Sequence, residues 1–143
     1  MVKFRHAGIV VSDAERSLEF YNYLLNPVSV KDMVEEGEYI DTFLGLPSVK
    51  VRTIKMTLVC GSIVELLCFY SHEDVLDREK LITNIGCSHV ALTVDNLSDT
   101  YIRLLAIGTP FVNKPHLSLD GKAKVAFCKD PDGTFLELVE EIK

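Results

Sequence analysis

Short apolar runs alternate with polar punctuation along this chain, and the same succession occurs twice. Residues 4–11 form an apolar, β-branched run that predicts a strand. Ser12 and Glu15 then make an S-x-x-E capping box, and Ala14, Leu18, Tyr21 and Leu25 share one face of a helix that Pro27 stops. Residues 28–34 predict a short strand. Residues 35–47 carry Gly37, Gly45 and Pro47 and read as a loop. Residues 49–59 and 63–70 read as two strands joined by the turn signal Gly61-Ser62.

The second half follows the same plan. Residues 87–94 predict a strand, and Asp95 or Asn96 caps a helix with Leu97, Tyr101, Leu104 and Leu105 on one face and Gly108 as its stop. Residues 109–112 and 122–128 read as strands. The turn Asp130-Pro131-Asp132-Gly133 leads into a last strand over 134–139. The chain is thus expected to be one α+β domain, residues 1–143, built from two β-α-β-β-β repeats at 1–71 and 85–143. Residues 72–84 link them, with a short helix expected around 75–82. One four-stranded sheet with one helix leaves a sheet face bare, so such a repeat calls for a second sheet, from the same chain or from another copy.

Each repeat places a histidine at the start of its first strand and a glutamate inside its last. The pairs are His6 with Glu65 and His89 with Glu137. A charge inside an apolar strand is costly to bury unless it is compensated. Side chains alternate along a strand, so His6, Gly8 and Val10 share a face, as do Ile63, Glu65, Leu67 and Phe69. His89, Ala91 and Thr93 go together, as do Phe135, Glu137 and Val139. Two imidazoles and two carboxylates in matched places point to one divalent ion per site. The donor types suit zinc, nickel, cobalt, iron or manganese rather than copper.

Composition narrows the partners. Hydrophobic residues make up 48% of the 143, enough for a sizeable core, and the formal charge is −6 without a basic run. Nucleic acid and anionic membrane are not expected partners; a small-molecule substrate is, because the faces that carry the histidines and glutamates would make a mostly apolar pocket with a few polar groups. There is no run long enough to span a membrane and no signal-peptide core, so a cytoplasmic location is expected. Cys60, Cys68, Cys87 and Cys128 show no C-x-x-C spacing and read as reduced, structural thiols. Arg52, Lys55, Lys122 and Lys124 are candidate anchors for a substrate anion. His72 and His116 fall in expected loops, and residues 113–121 read as a candidate lid. Tyr21, Tyr23 and Tyr101 are expected to pack on their helices.

Four segments together resemble the vicinal oxygen chelate superfamily, which includes glyoxalase I, methylmalonyl-CoA epimerase, extradiol dioxygenases and bleomycin-resistance proteins. They are H-A-G-I-V-V-S-D from His6 with S-L-E-F-Y-N-Y-L-L from Ser17, V-E-L-L from Val64, G-C-S-H-V-A-L-T-V-D-N from Gly86, and K-D-P-D-G-T-F-L-E-L-V-E from Lys129. The resemblance implies two modules forming an open, cupped, mixed β-barrel with helices outside. It implies metal ligands at His6, Glu65, His89 and Glu137, and a homodimer with sites between modules of the two chains. It further implies a metal-dependent lyase or isomerase that removes a proton next to a carbonyl, with Glu137 or Glu65 as the base. The alternatives are a non-catalytic, resistance-type binding protein and an iron-dependent extradiol dioxygenase. Glyoxalase I also carries an arginine and an asparagine for glutathione, and the matching positions here are Val10 and Phe69, which weakens the case for a glutathione substrate.

Overall fold

The computed structural model describes residues 1–75 and 78–143 and divides the chain into two compact α+β units, Met1–Leu76 and Asp77–Lys143. The first contains β1 (Ala7–Val10), α1 (Ala14–Leu25), β2 (Ser29–Glu36), α2 (Glu38–Leu44), β3 (Lys50–Thr57) and β4 (Ile63–Phe69). Its sheet runs β1-β4-β3-β2, with β1 parallel to β4 and the other pairs antiparallel. The second contains β5 (His89–Thr93), α3 (Leu97–Ala106), β6 (His116–Leu117), β7 (Ala123–Lys129) and β8 (Phe135–Glu141). Its order is β5-β8-β7-β6, again mixed, with β5 parallel to β8. The two mixed four-stranded sheets bear out the α+β expectation.

Alternation explains both cores. In the first unit Val64, Leu66 and Cys68 on β4 and Ile54 and Met56 on β3 are buried on the face that carries α1, whose Phe20 and Tyr21 are also buried. In the second, Leu136 and Leu138 on β8 join Ala126 and Cys128 on β7 and Leu97 and Leu104 on α3. Fully burying one such leucine stabilises by about 1.5–3 kcal/mol. The intervening positions on β4 and β8, Glu65 and Glu137 among them, point to the opposite faces.

Several elements differ from the reading of the sequence. The N-cap of α1 is Asp13, whose side chain accepts from the Arg16 amide at 3.0 Å, while Ser12 Oγ accepts from the Arg16 guanidinium at 3.1 Å. A carboxylate wins this position because it is the stronger acceptor and also meets the positive end of the helix. Asn96 caps α3, accepting from the Asp99 amide at 2.9 Å, and Glu140 from β8 accepts from the Leu97 amide at 2.7 Å.

The segment read as a loop contains α2. Gly37 and Gly45 are its two ends, the latter in the left-handed conformation at φ 66°, so the breakers mark the borders of a helix. Asp41 on α2 accepts from the amides of Ser48 and Val49, at 3.0 and 2.7 Å, and so ties the helix to the start of β3. Ile40 packs with Val49, Val51, Leu67 and Phe69, so α2 covers part of the face that carries Glu65.

Residues 109–112 make only a single bridge, Phe111 to Cys128, and the outer strand of the second sheet is the two-residue β6. Of the helix expected at 75–82, residues 76 and 77 lie outside the described residues, and 78–82 are not helical.

Candidate functional site

Glu65 is held by the register of three strands. Its parallel partner on β1 is Gly8 and its antiparallel partner on β3 is Lys55. The residue is only 9% exposed, and its Oε2 lies 3.5 Å from Lys55 Nζ. An ammonium therefore offsets the cost of holding this carboxylate in a largely apolar face. His6 lies just outside β1, two residues before Gly8, so its position continues the Gly8 and Val10 face.

Glu137 occupies the matching place in the second sheet, with Ala91 on one side and Phe127 on the other. Its Oε2 lies 3.0 Å from His89 Nε2. The other imidazole nitrogen, Nδ1, lies 2.7 Å from Ser88 Oγ, and the Phe127 ring meets the imidazole edge-on at 5.3 Å between centroids. Serine and phenylalanine together fix the plane and direction of the ring.

Of the two neutral tautomers, one satisfies this chain of contacts by itself. Ser88 can donate to Nδ1 while Nε2–H donates to the carboxylate. Alternatively Nδ1–H donates to Ser88, and the Nε2 lone pair faces the carboxylate. The second arrangement sets two electron-rich atoms together and is favourable only with a cation between them. A histidine whose second nitrogen is fixed by a hydrogen bond is the usual form of an imidazole metal ligand, so the chemistry of this donor pair suits a divalent ion.

The structure brings His89 and Glu137 into contact, and it sets His6 and Glu65 on one face of the first sheet. Among the described residues, no three or more His, Cys, Asp or Glu side chains are gathered in a geometry that could hold a metal ion.

The candidate anchors separate by parity. Arg52 lies on the α1 side of β3 and is committed there. Its Nε and Nη2 donate to the two Asp32 oxygens at 2.9 and 2.7 Å, and its Nη1 to Glu15 on α1 at 2.5 Å. This guanidinium holds the Asp32 carboxyl below its ordinary range. Lys124 pairs with Glu140 at 3.7 Å on the α3 side of β7, and Lys122 precedes β7. Only Lys55 of the four shares a strand face with a signature glutamate.

His72 is exposed, and His116 is an exposed member of β6. The segment read as a lid is stitched to β7, because Asn113 Oδ1 accepts from the Phe127 amide at 3.0 Å and Ser118 Oγ from the Ala123 amide at 3.0 Å. Tyr21 is buried against Phe20, and Tyr101 stacks edge-on with Phe111. Val10 is an exposed apolar residue, and Phe69 belongs to the cluster under α2.

Sequence reasoning did not single out Ser88 or Phe127. Ser88 was within reach, since it directly precedes His89. Phe127 acquires its meaning from cross-strand register, which no local pattern carries. Two thiols are exposed, Cys60 and Cys87, and two are buried, Cys68 and Cys128. Burial, with the nearby Asp130 charge, pushes the Cys128 thiol up to about 12.

Comparison with known proteins places this geometry in context. The model of the Glyoxalase/Bleomycin resistance protein/Dioxygenase superfamily matches residues 3–138. A lactoylglutathione lyase of Escherichia coli O157:H7 is 27% identical over 98% of this chain and 93% of its own length. A lactoylglutathione lyase of Schizosaccharomyces pombe is 30% identical over 97% of this chain, which spans only 45% of that longer protein. Among solved structures, a glyoxalase family protein from Bacillus cereus superposes with a TM-score of 0.86 at 23% identity, covering 100% of this chain and 96% of its own. Glyoxalase I from Zea mays gives 0.63 at 20% identity over 96% of this chain and 44% of its own. At these identities the structural matches speak for the fold. No helix among the described residues is long and apolar enough to cross a membrane.

Proposed function

Because the chain belongs to the Glyoxalase/Bleomycin resistance protein/Dioxygenase superfamily, we propose that it is a divalent-metal-dependent lyase or isomerase acting on a small carbonyl compound. His6, Glu65, His89 and Glu137 are the residues that would hold the ion. When bound, the ion would supply Lewis-acid stabilisation of the negative charge that develops on the substrate's oxygens.

The chain's own part is proton transfer and orientation. Glu137 takes the proton from the carbon next to the carbonyl, the C–H electron pair moves toward the carbonyl oxygen, and the same carboxyl returns the proton to a carbon of the product. Glu65 is the second candidate base, and Lys55 restrains it. Ser88 and Phe127 keep the imidazole of His89 beside Glu137. The single observation that carries this reading is the 3.0 Å contact of His89 Nε2 with Glu137 Oε2, with Nδ1 already fixed by Ser88.

The two lactoylglutathione lyases named above act on a glutathione adduct by their names, and this chain is proposed to prefer another substrate. Val10 offers no charge, and Phe69 is occupied by packing against Ile40 and Val51. The working form is proposed to be a cytoplasmic homodimer.

The test is metal analysis of the purified protein and of Glu137→Gln, followed by turnover of the methylglyoxal–glutathione adduct and solvent-deuterium exchange into carbonyl substrates. Wild type is expected to take up divalent ion stoichiometrically, and the variant to lose at least tenfold in affinity, since altering even an outer-shell partner of a ligand typically costs about 10–100-fold. Wild type that binds no divalent ion at saturating concentration would remove the metal-dependent reading altogether.

A further inference from the structure

One row of residues crosses the first sheet from edge to edge. Lys31 on β2 stands directly opposite Lys55 on β3, Lys55 opposite Glu65 on β4, and Glu65 opposite Gly8 on β1. All four positions belong to the face that carries the signature glutamate. Neighbouring strands lie about 4.8 Å apart, so the row sets two lysine positions on one side of Glu65, one and two strands away. On the other side, Gly8 adds no side chain.

Like charges directly opposite one another destabilise a sheet. The other cations of these strands avoid this arrangement. Arg52 is neutralised by Asp32 and Glu15, and Lys50 pairs with Glu36 at 3.9 Å. Glu65 balances only one of the two lysines in the row, through its 3.5 Å contact with Lys55. The other acid on this face, Glu35, is engaged by the Tyr39 hydroxyl at 2.9 Å and by Thr53 Oγ1 at 3.3 Å. Among the described residues, Lys31 has no carboxylate partner. A cation taken up by Glu65 would release Lys55 as well, leaving both ammonium groups without a counter-charge.

We propose that Lys31 and Lys55 form an anion-binding subsite that takes a carboxylate carried by the substrate, a few ångströms from its reacting oxygens. This rests on the metal-dependent reading above and deepens it. The subsite stands in for the anchors whose positions are held here by Val10 and Phe69. Lys31 lies on an edge strand, where a lysine can serve merely to keep other sheets away. That role would affect solubility and not ligand choice.

The experiment compares two hydroxamates on the nickel-loaded protein, succinic acid monohydroxamate and butyrohydroxamate, which share the chelating end and differ in the charged arm. The acid is expected to bind about tenfold more tightly or better. Lys31→Met should reduce that preference with nickel uptake retained, and adding Lys55→Met should abolish what remains of it. Lys31 is exposed on an edge strand, so its variant gives a result even if Lys55→Met perturbs Glu65. Equal affinity for the two hydroxamates in wild type, or a preference that survives both substitutions, overturns the subsite while leaving the metal reading intact. Failure to take up nickel, with neither hydroxamate bound, overturns both.

Discussion

Glu65 and Glu137 hold matching places in two sheets of matching order, yet their cross-strand neighbours differ in kind. Lys55 faces Glu65, and Phe127 faces Glu137. Each has a small residue on its other side, Gly8 or Ala91. In the first unit an ammonium compensates the carboxylate directly. In the second an aromatic ring steadies a histidine, and the histidine meets the carboxylate. The edges differ too, since β2 has eight residues and is followed by α2, whereas β6 has two. The repeated backbone supplies a carboxylate on a sheet face twice. The residue opposite decides whether that carboxylate leans on a charge or on an imidazole. The first sheet therefore has the means to bind an anion beside its glutamate, and the second the means to orient a donor pair.

The comparison can be broken at its scaffold first. Leu66 and Leu138 each follow their signature glutamate by one residue, and both are fully buried. Leu66→Ala and Leu138→Ala are each expected to cost about 2–5 kcal/mol in urea denaturation, by lost transfer energy and a residual cavity. A loss below about 1 kcal/mol in either would show that its unit does not depend on the matched core.

The helix starts give a smaller contrast. Asp13→Ala should cost about 1 kcal/mol, as for an ordinary N-cap. Asn96→Ala should cost less, because Glu140 continues to hold the Leu97 amide at the start of α3. Equal losses would mean that the Glu140 contact adds nothing to the helix start.

The smallest effect concerns the cations on the helix-facing sides, Arg52 and Lys124. Arg52 grips Asp32 with two hydrogen bonds, whereas Lys124 meets Glu140 through one longer contact. Arg52→Met is expected to cost about 1 kcal/mol or less at neutral pH. Asp32 has a folded-state pKa below its unfolded value of 3.8. Its contribution is therefore complete above that value and is lost as the pH falls through the lowered folded value. The stability gap between wild type and Arg52→Met should close in acid, measured by thermal denaturation at pH 7 and at pH 2.5. A gap that stays constant across that range would show that Asp32 is not the partner responsible.

The alternation of apolar and polar positions made the faces legible. His6, Glu65, His89 and Glu137 were assigned to strand starts and strand interiors from the apolar runs around them; the structure puts His6 just before β1 and brings His89 and Glu137 together. The helices α1 and α3 were legible from their apolar faces. The helix α2 was not, because its seven residues lie between glycines that read as breakers when seen without the fold. A helix this short draws its stability from packing Ile40 on Val51 and Leu67, and that packing is tertiary. The two-residue β6 was missed for the same reason, as too few residues alternate to leave a pattern.

The sequence by itself determined the repeat, the α+β class and the residues that share a face with each signature glutamate. These follow from periodicities of two and of about 3.6 residues, which are local properties of the chain. Only the tertiary structure decided who stands opposite whom. Lys31 beside Lys55, Lys55 against Glu65, and Phe127 against His89 depend on strand register. Register is set by burial and turn geometry between segments distant in sequence.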